Sequence, residues 1–310
     1  MTERDVNVIP SPEVLNQARV SALIYYPLKS GAGIPIEKTA EVVRTGLKHD
    51  RIFMLVDENG KLISQRENPK VSLINTDCSF GGPEAYPSSV VFSCPGARLD
   101  ILHLPTFKGE IFTAKLHRDE VQVVDQGERI NKWFSDFLGT KVALVVKSPD
   151  FTRGLDPIFS DQGEVLFADG YPFLIASDES ISDLNSRMTT ELPMDRFRPN
   201  IVLSGTGIPY AEDYMQKFRI GDVEFEVVKP CSRCVITTTD QKTGERTSKD
   251  ETGTEPLKTL RSYRRGIDYA GRKGVFFAQN AVNLNTGSIS VGDQVQVLEF
   301  SDSPNFQIAD

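Results

Sequence analysis

The chain has 310 residues, a net charge of −8 and a composition that is 39% hydrophobic and 25% charged, which is that of an ordinary globular protein with room for two domains. An acidic balance of this size opposes the basic stripe that a nucleic-acid polymer requires. Four cysteines, Cys78, Cys94, Cys231 and Cys234, are too few for a disulfide scaffold and fit a reducing compartment, so a cytoplasmic protein is expected.

Residues 1–18 form a polar leader without an apolar signal core, and no stretch of the sequence is long and apolar enough to suggest a membrane span. Residues 20–28 (VSALIYYPL) read as a strand stopped by Pro27. Residues 52–56 and 62–64 flank Asn59-Gly60, a strong hairpin signal. Further short strands are predicted at 89–92, 98–102, 111–116 and 121–124, at the spacing of a small barrel. The period then changes: Ile130, Trp133, Phe134, Phe137 and Leu138 share one face of a helix over 128–138, with Gly139 as its C-terminal cap. Ser177 or Asp178 caps a second helix carrying Ile181, Leu184 and Met188 on one face. Strands follow at 201–203, 223–228, 235–238 and 294–298, the last after a Gly292-Asp293 turn. Residues 240–255, charged and without large apolar side chains, are expected to form a mobile loop or hairpin end.

The stretch richest in chemistry is 228–238, VKPCSRCVITT. Its Cys-x-x-Cys leaves several readings open. A closed zinc site needs two more ligands, and His49, His103 and His117 form no pair. A thioredoxin-like redox pair belongs at the start of a helix, whereas the β-branched run after Cys234 disfavours one. One cysteine can instead be a single thiolate ligand to a soft metal whose other ligands come from a cofactor. Buried structural cysteines are the fourth reading.

Six segments, in this order, resemble the MOSC proteins, and among them the bacterial YcbX-type enzymes and the mitochondrial amidoxime-reducing component: PLKS (27–30), GLKHDRIFMLVDENGKLISQRENP (46–69), FADGYPFL (167–174), FRPNIVLSG (197–205), IGDVEFEVVKPCSRCVITT (220–238) and EPLKTLRSYR (255–264). The resemblance implies a mainly β chain with some α structure. After the leader it places an N-terminal β-barrel domain over 19–125, a MOSC domain with a barrel-like core over 126–300 and a tail over 301–310. It further implies a molybdenum cofactor (Mo-molybdopterin) bound between the domains, with Cys234 as the catalytic metal ligand and Cys231 as its non-ligand neighbour. Carried over by motif position, the cofactor contacts are Lys29, Ser30, Arg51, Gly170, Tyr171, Arg198, Asn200, Ser232 and Arg233, with Arg66 as a further phosphate partner. Gln279-Asn280 matches a family stretch in which Ala278 stands where the family has glycine.

The activity implied is reduction of small N-hydroxylated substrates (hydroxylamines, amidoximes, N-hydroxylated bases) to amines or amidines. No cysteine follows Cys234 to build an iron–sulfur cluster, so electrons are expected from a separate protein of iron–sulfur, flavin or cytochrome type. A cofactor carrier or sulfur-transfer module is the alternative that the same resemblance allows.

Overall fold

The computed structural model describes residues 9–79, 86–97, 100–160, 163–247 and 254–308. In chain order its strands are β1 (Arg19–Tyr25), β2 (Ile34–Ile36), β3 (Thr39–Val43), β4 (Gly46–Leu47), β5 (Phe53–Val56), β6 (Leu62–Ile63), β7 (Asn75–Cys78), β8 (Val90–Ser93), β9 (Ile101–His103), β10 (Ile111–Leu116), β11 (Asp119–Asp125) and β12 (Ala143–Lys147). After these come β13 (Phe173–Ser177), β14 (Ile201–Ser204), β15 (Met215–Ile220), β16 (Val223–Ser232), β17 (Arg265–Asp268), β18 (Lys273–Asn283), β19 (Gly287–Ser290), β20 (Val295–Phe300) and β21 (Phe306–Ile308). Helix α1 (Pro12–Leu15) is one turn, α2 spans Glu128–Leu138, α3 Asp178–Ser186 and α4 Leu257–Arg261. The chain is mainly β, as its strand spacing predicts, and among the described residues no helix is long and apolar enough to cross a membrane.

Strands β10-β11-β12-β5-β6 form one sheet, and a Lys61↔Lys115 bridge brings its two edges together as a small barrel. All four residues of β5 are buried because the strand has a core on each side. Met54 and Val56 point inward with Leu116, Val121, Val123, Val145 and Phe167. Phe53 and Leu55 point outward, where α2 lays Ile130, Phe134 and Leu138 against them and β7-β8-β9 add Val90 and Phe92. The predicted helix thus runs over 128–138, and Gly139 ends it in the left-handed conformation, φ 68°. Asn59-Gly60 turns β5 into β6.

The second unit is a ten-stranded sheet, β2-β1-β14-β13-β18-β16-β15-β20, with β17 and β21 attached at β18. Alternate residues of β13 serve opposite cores: Phe173 and Ile175 meet Leu23, Phe218 and Phe225, while Leu174 and Ala176 meet α3 and Phe277. Ser177 caps α3, its hydroxyl accepting from the Ser180 N–H. Met188 lies past the end of α3 and packs on its core from there.

Two expectations need correction. Residues 235–238 form a 3₁₀ turn rather than a strand: the Thr237 and Thr238 hydroxyls donate to the carbonyls of Cys234 (2.9 Å) and Val235 (2.7 Å), which tightens a β-branched run into a turn. A division at 125/126 also cuts across the cores, because α2 and β12 complete the barrel unit, whereas β1 and β2 join the ten-stranded sheet and β3 pairs with β19. Of the expected strand at 98–102, residues 98 and 99 lie outside the described residues, and β9 begins at Ile101. The expected loop at 240–255 is described to residue 247, where a Thr239↔Arg246 bridge closes a tight turn, and residues 248–253 lie outside the described residues.

His49 is buried after β4, its Nε2 without a hydrogen-bond partner, and burial with the neighbouring Lys48 pushes the imidazole down to about 4. A histidine lowered in the folded state stabilises the fold fully above its unfolded value near 6.5 and loses that contribution as pH falls toward 4. Chemical denaturation should therefore show stability falling by up to about 3 kcal/mol over that interval. His49→Asn, which tolerates the left-handed backbone found there (φ 69°), should flatten the curve.

Candidate functional site

Five turns from both units converge on one cleft. Lys29 and Ser30 follow β1, pinned to the barrel by the Lys29 N–H donating to the Phe53 carbonyl (2.8 Å). Arg51 lies in the turn before β5, Asp169-Gly170-Tyr171 precede β13, Arg198 and Asn200 precede β14, and Ser232-Arg233-Cys234 end β16. With Arg66 they line a space of about 780 Å³ counted out to open solvent, alongside Leu174, Phe197, Cys231, Ile236 and Asn280. Every site residue expected from the sequence lines this cleft.

Two of the cations are held in place by one aromatic ring. Arg51 and Arg198 both stack on Tyr26, with guanidinium carbons 4.4 and 4.2 Å from the ring centroid. Arg51 also donates to Asp50 Oδ2 (2.5 Å) and Asn200 Oδ1 (2.9 Å). Asn200 is a clamp as well as a lining residue, since its amide donates to the Ile24 carbonyl and accepts from the Leu174 N–H. Arg198 donates to the carbonyl of Gly31 (2.7 Å) and to Gln241, leaving Nη2 buried without a partner among the described residues, and burial pushes its guanidinium down to about 10. Arg233 Nε and the Tyr171 hydroxyl are likewise buried and, among the described residues, unpartnered. Among the described residues neither Arg198 nor Arg233 has a carboxylate within ion-pair distance. Buried donors are normally paired, and for these the described residues supply no partner.

Lys29 donates to the Phe167 carbonyl (2.7 Å) and Asp169 Oδ1 (2.5 Å). Burial pulls its ammonium down to about 8 against the attraction of Asp169. The carboxylate is 66% exposed where the ammonium is 6% exposed, so the pair is desolvated mainly on the lysine side. Lys29 and His117 outweigh the effect of burial on Asp169 and hold it well below the usual carboxylate range. Arg153 braces this turn from behind, bonding Asp119 and the carbonyls of Leu166, Ala168 and Asp169.

Of the two cysteines, Cys234 accepts from Arg66 Nη2 (3.4 Å) and Cys231 from Arg233 Nη1 (2.9 Å). Arg66 therefore faces sulfur rather than a carboxylate. Among the described residues no three His, Cys, Asp or Glu side chains converge, so the cleft offers the sulfurs of Cys231 and Cys234 and no closed set of protein ligands for a metal. A Cβ at Gly170 would meet nothing within 4 Å, so any requirement for glycine there comes from what fills the cleft. Ser232 sits close to Gly274, where a Cβ would come within 2.6 Å of the serine hydroxyl. Gln279 is fully buried on Asp213, which leaves Asn280 as the residue of that pair lining the cleft.

Backbone strain gathers at the same place. Ser30 (φ 68°), Arg51 (48°) and Arg198 (58°) are left-handed, as are His117 (59°) at the rim and buried Ala278 (69°). Each costs on the order of 1 kcal/mol, and such conformations cluster at functional sites. The strain at Ala278 explains why a glycine suits that position.

Sequence reasoning missed Asp50, Asp169, Tyr26, Gln65, Gln241 and His117. Asp169 lies inside FADGYPFL, where one charge in an apolar run was a usable signal, whereas Asp50 is hidden among the charges of KHDR. Gln65 donates to the Ser30 carbonyl and to Gln241, a tie between distant turns that no local pattern carries.

The fold and this cleft define a MOSC-type protein, and comparison with known proteins agrees: residues 17–141 match the MOSC N-terminal beta barrel domain and 162–296 the MOSC domain. The chain belongs to the MOSC family. It is 33% identical over 294 residues to mitochondrial amidoxime-reducing component 1 of Homo sapiens, covering 90% of this chain and 82% of that protein. Similarity to the Mus musculus protein of the same name is 34% identity over 90% of this chain and 82% of that protein. Mitochondrial amidoxime reducing component 2 of Homo sapiens is 31% identical, with 89% and 82% covered.

The two stacked arginines should respond unequally to removal. Arg51→Met strands the buried Asp50 carboxylate and should cost about 3 kcal/mol. Arg198→Met removes a buried cation with no carboxylate partner and should cost on the order of 1 kcal/mol or less. Urea unfolding of the cofactor-free chain measures both.

Proposed function

We propose that the cleft binds a molybdenum cofactor through the Cys234 thiolate and that the chain reduces N-hydroxylated compounds to amines or amidines with electrons from a separate donor protein. One observation carries this reading: the free cysteines Cys231 and Cys234 share a cleft with buried donors of Arg198, Arg233 and Tyr171 that have no hydrogen-bond partner among the described residues. Such a set suits an anionic group that brings its own sulfur ligands. The names of the relatives, amidoxime-reducing components, support the substrate class.

When bound, the cofactor supplies the two-electron chemistry that cleaves an N–O bond. The protein's part is binding and orientation. Arg198 and Arg233 would hold the phosphate-bearing end, Lys29, Ser30 and Arg51 the turn against it, and Cys234 the metal. Arg66 donates toward the Cys234 sulfur, and Phe197, Leu174 and Ile236 give the cleft apolar walls that limit water. Asp169, held ionised by Lys29, offers an exposed acceptor at the rim for an amidine or hydroxylamine N–H.

The test is metal and pterin analysis of the chain purified from a host that makes molybdopterin, together with benzamidoxime turnover under a chemical reductant. Wild type should carry stoichiometric molybdenum and pterin and turn over. Cys234→Ser should lose turnover, and Arg198→Met should weaken pterin retention by roughly 10- to 100-fold. Cofactor that is released without turnover would favour a carrier, and a chain without metal or pterin would sink both readings.

A further inference from the structure

The charged turn that follows Cys234, closed by the Thr239↔Arg246 bridge, is fastened to both units. Arg246 Nη2 donates to the carbonyls of Gln65 (2.8 Å) and Arg66 (2.5 Å) in the barrel unit, and Asp240 pairs with Arg196 (3.0 Å) in the other. Between these ties two side-chain amides close a ring. Gln65 Nε2 donates to Gln241 Oε1 (2.9 Å), and Gln241 Nε2 donates to Gln65 Oε1 (3.1 Å). Gln65 is fully buried just after β6, 176 residues away in the chain from its partner.

The neighbours of the ring fix its sense. Ser30 and Thr239 present carbonyls, which only accept, 2.8 Å from Gln65 Nε2 and 3.0 Å from Gln241 Nε2. A guanidinium only donates, so Arg198 Nη1, at 3.2 Å, faces the amide oxygen of Gln241. That oxygen accepts from both Arg198 and Gln65, and neither amide can turn over without setting donor against donor or acceptor against acceptor.

Neither glutamine lines the cleft; what they govern is Arg198, which does. Arg51, on the same Tyr26 ring, is paired with the Asp50 carboxylate. Arg198 is held instead by the Gly31 carbonyl and the Gln241 amide, neutral acceptors that orient a cation without cancelling its charge. Gln65 at the same time bonds the carbonyl of Ser30, so the pair joins two left-handed turns, Ser30 (φ 68°) and Arg198 (φ 58°). We propose that Gln65 and Gln241 are positioning residues: as one amide pair across the two units they hold Arg198 with its charge intact, and its Nη2 remains for an anionic group of phosphate type in the cleft. That this anion is the phosphate of a pterin cofactor rests on the function proposed above; the pair and its hold on Arg198 do not.

Pyrophosphate, titrated calorimetrically into the full-length chain purified without cofactor, is the probe. Wild type should bind it, and Arg198→Met should weaken binding roughly 10- to 100-fold. Gln241→Met, which keeps the side-chain length and loses the amide, should weaken it about 10-fold. The double variant should bind as Arg198→Met alone, because the glutamine acts only through that arginine, whereas a general structural role would add its own loss. Wild type that does not bind pyrophosphate, a Gln241→Met affinity equal to wild type, or losses that add in the double variant overturn the proposal.

The second arm needs no variant to fold. In wild type the side-chain amide protons of Gln65 and Gln241 should exchange slowly with solvent and show a mutual nuclear Overhauser effect, and amides that exchange as fast as exposed ones refute the pair. If pyrophosphate binds as expected while wild type from a molybdopterin-making host retains neither molybdenum nor pterin, the proposed function fails and the positioning of Arg198 stands.

Discussion

Two guanidinium groups packed on one buried phenol ring are the constraint around which the site is built. Tyr26 is 2% exposed, its hydroxyl donates to the Pro199 carbonyl (3.1 Å), and its N–H donates to Asp50 Oδ1 (2.8 Å). The ring therefore fixes three turns at once: the one after β1, the one before β5 and the one before β14. Attraction of a desolvated cation to a ring face amounts to about 2 kcal/mol. That is enough to offset the left-handed backbone at Arg51 and Arg198, which the turns must adopt to bring both groups to the same ring.

Placing these cations together would be unfavourable on its own, and the molecule resolves the conflict unevenly. Arg51 is neutralised inside the protein by Asp50, while Arg198 and Arg233 are satisfied only in part, by carbonyls and a sulfur. The surface is acidic overall, yet the cleft has basic walls. An anion entering it therefore meets desolvated donors that need little rearrangement, which is preorganisation in the electrostatic sense.

Much of this was legible in the sequence where local rules govern. Helix α2 followed from apolar period and a terminal glycine, and β5–β6 from Asn59-Gly60, because both depend on residues a few positions apart. The lining residues were legible through motif order. What stayed hidden is what tertiary structure decides. Nothing in VITT distinguishes a strand from a 3₁₀ turn until its hydroxyls find their own carbonyls, and nothing in LHRDE announces that its histidine meets Arg66. The division into units was obscured for the same reason, since β1 reads as the first strand of whatever follows it and instead pairs with β14.

That pairing sets a timetable for the growing chain. Ser21 bonds the Val202 carbonyl across 181 residues, and at ribosomal rates of about 5–20 residues per second β1 must wait roughly 10 to 35 seconds for its partner to be made. The barrel strands, all finished by Lys147, have their mates well before then. The apolar leading strand, Val20 to Tyr25, therefore has the edge that meets β14 uncovered until residues 201–204 are made. Such an edge is open to pairing with a neighbouring nascent chain, so the same crossing of β1 into the distant sheet that assembles the cleft also leaves that strand waiting longest for its partner.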